Sequence, residues 1–143
     1  MTEMALPSLR MDRAARKCRV ALHQFSTLGN RAAVDELFEV WQECRRPGWD
    51  GHGALAVEQE TLDAAYQLLE SLPFGFPLPS IGAEPDGQLT LEWRRSPCRV
   101  LSVSVDPAGY LHYAGIFGTN KNYGTLTLFS KAPVELIQLV RKL

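Results

Sequence analysis

Two kinds of hydrophobic spacing divide this chain. In the first half, apolar residues recur every three or four positions. One series is Met11, Ala14, Ala15, Cys18, Leu22 and Phe25; a second is Val34, Leu37, Phe38, Trp41 and Cys44; a third is Leu62, Ala65, Tyr66, Leu68, Leu69 and Leu72. Such spacing lines one face of an α-helix. It predicts helices over residues 8–27, from Asn30 to just before Pro47, and over residues 57–71. Asn30 is a good N-cap for the second helix, and Glu58 and Glu60 suit the positive end of the third. A stretch with Pro73, Pro77 and Pro79 then reads as a linker.

Beyond residue 80 the period falls to two. Leu89, Leu91 and Trp93 alternate with Thr90, Glu92 and Arg94, and Leu101, Val103 and Val105 alternate with Ser102 and Ser104. These are half-buried strands. Residues 111–117 and 123–129 supply two more, and residues 81–84 a short edge. Pro85-Asp86-Gly87 and Asp106-Pro107-Ala108-Gly109 are turn sequences, because proline presets φ and glycine accepts a positive φ. Each should join adjacent antiparallel strands. Leu136, Ile137, Val140 and Leu143 share one face of a closing helix with Pro133 in its first turn. The expected fold is therefore α+β: an antiparallel meander of four to five strands, with N-terminal helices and a C-terminal helix packed about one face. The division is a helical half over 1–72, a sheet over 80–129 and a helix over 132–143, all in one domain.

Composition agrees with a single packed unit. The chain has 143 residues, of which 45% are hydrophobic and 22% charged. A domain of that size buries enough surface to hold a core without a metal or disulfides. Cys18, Cys44 and Cys98 are widely spaced and odd in number, which fits neither a disulfide framework nor a zinc site. Cys18 and Cys44 fall on apolar helix faces, as buried thiols in a reducing cytoplasm would. The N-terminal stretch lacks the pattern of a signal peptide, and no uncharged run reaches the length of a membrane span. A cytoplasmic protein with no membrane association is expected.

The net charge is −1, so no global field draws in nucleic acid. Residues 1–27 nevertheless hold five basic and two acidic side chains, and Arg10, Arg13, Arg16, Lys17 and Arg19 could form a stripe facing phosphates. No aromatic residues interleave with them, which leaves nucleic-acid binding a minor reading.

Residues 47–54, Pro-Gly-Trp-Asp-Gly-His-Gly-Ala, concentrate unusual chemistry between two helices. Asp50 can accept backbone N–H bonds in an Asx-turn, and His52 titrates near neutral pH. One reading is a loop that presents Asp50 and His52; the other is that Trp49 anchors the loop, the glycines turn it and Asp50 caps it. The second is favoured, since a loop anchored by tryptophan needs this composition merely to reverse direction. Residues 51–56 also match G-x-G-x-x-A, but a helix precedes them where a dinucleotide fingerprint requires a strand. No bound nucleotide or other cofactor is expected. Asp50, His52, Glu92, Asp106 and His112 are the candidates for a metal, yet none is paired at ligand spacing on a helix or strand. Asp106 is better explained as the first residue of its turn, Glu92 and Arg94 as members of a cross-strand ion pair, and Tyr66 as an aromatic at the core's edge. Residues 118–125, Gly-Thr-Asn-Lys-Asn-Tyr-Gly-Thr, suit a mobile hairpin tip or a contact surface.

Three ordered motifs extend the reading: Trp49-Asp50-Gly51-His52-Gly53-Ala54, Asp86-Gly87 with Leu91-Glu92-Trp93, and Tyr113-Ala114-Gly115-Ile116-Phe117-Gly118. Together they resemble a family of small uncharacterised bacterial proteins with W-D-G-Y-G-A, D-G-x-[IL]-x-[IL]-E-W and Y-A-G-x-F-G in that order. This chain has His52 where the family pattern has tyrosine. The resemblance implies the architecture without a mechanism, and at most an accessory or neutralising role beside mobile-element or defence genes.

The leading expectation is a protein-binding module, an accessory, antitoxin-like, immunity or inhibitor component. Its contacts would come from Arg45, Arg46, Trp49 and His52 and from Asn120, Lys121, Asn122 and Tyr123. The alternative is a small metal-dependent hydrolase or nuclease using Asp50, His52 and Glu92, should folding bring them together. A further alternative is nucleic-acid binding by the N-terminal basic helix.

Overall fold

The computed structural model describes residues 30–143. The helix expected over residues 8–27, with Cys18 and the basic stripe, lies outside the described residues. Two helices, α1 (Arg31–Cys44) and α2 (Gln59–Glu70), precede the strands β1 (Ser80–Ala83), β2 (Leu89–Ser96), β3 (Arg99–Val105), β4 (Tyr110–Phe117) and β5 (Asn120–Thr127). Helix α3 (Val134–Arg141) follows them. The strands form one antiparallel sheet in sequence order, so the α+β meander is present with five strands.

Each described helix buries one apolar stripe that overlaps the series its spacing predicts, with Phe38 and Tyr66 of those series left exposed. Ala33, Leu37, Val40 and Cys44 are buried on α1, Leu62, Ala65, Leu68 and Leu69 on α2, and Leu136, Leu139 and Val140 on α3. They meet the alternating residues Leu89, Leu91 and Trp93 of β2, Leu101, Val103 and Val105 of β3, and Leu111 of β4 in one continuous cluster. All the described helices thus cover the inner face of the sheet. The register places Thr90, Glu92, Ser102, Ser104, His112 and Ala114 on the outer face, which is half-buried or exposed throughout.

Asn30 departs from its expected role. It precedes α1, but its side chain makes no cap bond there and instead donates Nδ2–H to the Leu69 carbonyl. The start of α1 is thereby tied to the end of α2, whose last carbonyls need donors. Ser71 makes a similar bridge, donating to the Leu68 carbonyl at 2.9 Å and accepting the Ala132 N–H at 2.6 Å, which pins the approach to α3.

Residues 71–79 are more than a linker. Phe76 is buried, and the Pro77 carbonyl accepts the indole N–H of Trp93 at 2.8 Å. The segment is packed because Phe76 and Leu78 supply apolar surface that the prolines alone do not advertise. The two edges of the sheet also differ. Beside β1 lies α1, whose Glu36 accepts the outward Ile81 N–H at 3.1 Å; β5 has no neighbour among the described residues.

The polar segment expected as a hairpin tip proves to be mostly strand. Its turn is only Gly118-Thr119, and Asn120 to Gly124 pair with Phe117 to Tyr113. Gly118 has φ +71 while among the described residues no non-glycine φ is positive, Thr119 included, the pattern of a two-residue type II′ hairpin. Polar side chains are tolerated in β5 because it is an edge strand.

Candidate functional site

The loop from Arg45 to Ala56 is closed at its base, where Val57 N–H donates to the Cys44 carbonyl at 2.9 Å, and again where Gly48 N–H donates to the Ala54 carbonyl at 2.7 Å. Gly48, Gly51 and Gly53 all have positive φ, which the reversals between these clasps require. Asp50 lies inside the turn, 6% exposed. Its Oδ1 accepts N–H bonds from His52 at 2.8 Å and Ala54 at 3.0 Å. The His52 bond holds the carboxyl below its ordinary value of 3.8, against an opposing push from burial. Asp50 therefore organises the loop.

Tryptophan does the rest of the fastening. Trp49 is half-buried against the core and donates its indole N–H to the Leu55 carbonyl at 2.8 Å, while Trp41 donates to the Val57 carbonyl at 3.0 Å. Leu55 N–H reaches the Pro85 carbonyl at 2.8 Å, which docks the loop on the β1–β2 turn. Arg45 lies over the Trp41 ring, 5.0 Å from its centroid. Arg46 and His52 are exposed.

Glu92 stands elsewhere, on the outer face of β2. Its ion pair with Arg94, at 3.3 Å, runs along one strand and not across strands; the cross-strand neighbour it bonds is the Ser102 hydroxyl at 3.4 Å. Two residues apart on one strand, Glu92 and Arg94 share a face, whereas the position across β3 holds Ser102. Among the described residues no three His, Cys, Asp or Glu side chains group so as to hold a metal ion.

A row of polar groups on the outer face was not legible as a site in the sequence. Glu84 Oε2 accepts both the Thr90 and the Ser104 hydroxyl at 2.6 Å. Next to Ser104 in register is His112, with one ring nitrogen 3.1 Å from Asp106 Oδ2 and the other 3.1 Å from Thr125 Oγ1. Asp106 also fills its predicted turn position, its Oδ1 accepting N–H bonds from Ala108 and Tyr110 at 2.9 Å. Ser104 and His112 do not form a nucleophile and base, because the hydroxyl is given to Glu84 and both ring nitrogens face other partners. The signal was the shared outward parity of Thr90, Ser104 and His112, which becomes a row only once the turns fix the register.

On β5, Lys121 and Tyr123 point outward beside Ile116 and Ala114, whereas Asn120 and Asn122 take the opposite parity beside Phe117 and Gly115. The loop around Trp49 sits at the end of the sheet where β2 begins, and the Gly118-Thr119 turn at the end where β2 stops. The eight residues of β2 set these groups roughly 23 Å apart. Tyr66, at the margin of α2, packs edge-on against Phe38 and donates its hydroxyl to Glu70 at 3.1 Å, which raises its pKa above 10.0. No described helix is long and apolar enough to cross a membrane. No family model, curated protein or solved structure matches the chain.

Proposed function

We propose that this chain is a protein-binding module that docks through the outer face of β4 and β5, and serves as an accessory, antitoxin-like, immunity or inhibitor component. The observation that carries this reading is the apolar content of that face. Tyr110, Ile116 and Tyr123 are 46%, 38% and 81% exposed, with the small Ala114 between them. Scattered apolar residues on a surface need no explanation, but two tyrosines and an isoleucine on one face of the sheet supply anchor chemistry for a partner. The resemblance to small bacterial proteins with these motifs points to the same kind of role.

The hydrolase alternative draws less support. Asp50 is committed to backbone N–H groups inside its loop, and Glu92 belongs to a different part of the molecule from His52. General acid–base or metal chemistry needs such groups within reach of a single reacting atom.

Affinity capture from the native host, with identification of what co-elutes, tests the proposal when run on paired variants. Tyr123→Asp with Ile116→Asp should abolish capture of a partner that the parent protein retains. Phe74→Asp, which alters a residue 77% exposed in the segment between α2 and β1, should leave capture intact. Equal capture by all three proteins would overturn the proposal. Metal-dependent hydrolysis of nucleic acid that disappears in His52→Ala would replace it with the enzyme.

A further inference from the structure

The end of the sheet at the β2–β3 and β4–β5 turns gathers positive charge. Arg94, Arg95, Arg99, Lys121, Arg141 and Lys142 all lie there and are all exposed. Glu92 is the one acidic side chain within residues 92–99, 116–123 and 139–143, while the remaining described residues hold four basic and thirteen acidic side chains. The chain's small net charge conceals this separation.

Tertiary structure, not sequence proximity, builds the cluster. Arg95 donates to the Leu143 carbonyl at 3.0 Å and Arg99 to the Lys142 carbonyl at 3.0 Å, drawing the end of α3 onto the β2–β3 hairpin. Arg99 also passes within 3.9 Å of the position a Cβ would occupy on Gly118, so it bridges to the β4–β5 turn. The Lys142 acceptor is a neutral peptide carbonyl at the negative end of a helix. The Arg99 guanidinium is held in place without its charge being compensated, and it keeps N–H groups for a second partner. Arg94 and Lys121 flank Val100 and Ile116 in one row on the outer face, which makes the basic end continuous with the surface described under the proposed function.

We propose that this basic end receives an acidic segment of the partner protein, a run of aspartate and glutamate side chains laid across Arg94, Arg99 and Lys121. The proposal rests on the protein-binding reading and names the chemistry of its partner. A protein segment fits better than nucleic acid for an electrostatic reason. From β2 to β5 the patch spans only about 14 Å, and a Debye length at physiological salt is about 8 Å. A short acidic segment would feel the basic end alone, whereas a duplex would continue over a body rich in carboxylates.

The test uses a fluorescently labelled decapeptide of aspartate and glutamate, single-stranded and duplex oligonucleotides of equal charge, and anisotropy at low and raised salt. The peptide should bind, weaken as salt rises, and lose roughly tenfold in affinity in Arg94→Glu with Lys121→Glu, two exposed positions whose change should leave thermal unfolding cooperative. Double reversal at Arg31 and Lys131, an equal change of net charge away from this end, should alter affinity much less. Absence of peptide binding, an equal loss in both double variants, or tighter binding of an oligonucleotide would overturn the proposal. A natural partner captured through Tyr123 but indifferent to Arg94→Glu with Lys121→Glu would overturn the acidic segment alone and leave the protein-binding reading standing.

Discussion

At the scale of single residues, the Trp49 loop shows how a sequence rich in reactive types can be spent on backbone satisfaction. Asp50 accepts two N–H bonds where the chain reverses, and all three tryptophans donate their indole N–H to a carbonyl in irregular backbone. Because the Asp50 carboxyl is held below its ordinary value, its contribution to stability is present above 3.8 and disappears as pH falls through the lowered value. Denaturant unfolding from pH 7 to 3 should therefore show Asp50→Asn less stable than the parent near neutrality, with the gap closing in acid. Trp49→Ala should cost about 2 to 3 kcal/mol, below the usual range for a fully buried tryptophan because the ring is half-exposed. Trp49→Phe should cost less, keeping most of the contact and losing the hydrogen bond to Leu55. The residue types of this loop were legible in the sequence, including the Asx role of Asp50. Its docking partner, the Pro85 carbonyl, was not, since it comes from a distant segment that only the fold brings near.

Among the elements, the strands of the first three ladders were the most legible, because alternation and turn chemistry agree at Leu89 to Val105 and at Asp106 to Gly109. β5 was harder to read for a physical reason. An edge strand pairs on one side only, and its residues from Asn120 to Thr125 are polar enough to pass for a loop. What makes it a strand is the turn before it. Gly118→Val should therefore cost about 1 to 3 kcal/mol by placing a β-branched residue at φ +71, and should raise amide exchange first in Asn120 to Tyr123. The tie between α1 and α2 was likewise hidden, since Asn30 looks like an N-cap and acts across the helix pair. Asn30→Ala should lower stability by about 1 kcal/mol in urea unfolding, a loss that Asn30→Ser, an equally good local cap that cannot span to Leu69, should not fully restore.

For the whole molecule, the sequence spacing carried the layer arrangement, with helices on one side of the sheet and polar strand positions on the other. It could not carry the charge separation, because the six basic residues of the turn end come from β2, β3, β5, α3 and the residue after α3 and meet only after folding. Leu136 joins α3 to the core shared by α1, α2 and the inner sheet face. Leu136→Ala should cost about 2 to 5 kcal/mol, and hydrogen exchange should report the loss in β2 and β3 as well as in α3.

The unequal edges of the sheet limit how it can grow. Among the described residues nothing pairs with the outer edge of β5, while α1 and Glu36 occupy the flank of β1. Fibres need two sticky sides, one to receive and one to pass the template on. As described, each molecule offers a single such side. For the described residues, pairing of two copies along β5 would consume both open edges and end the process there, which favours pairs over filaments.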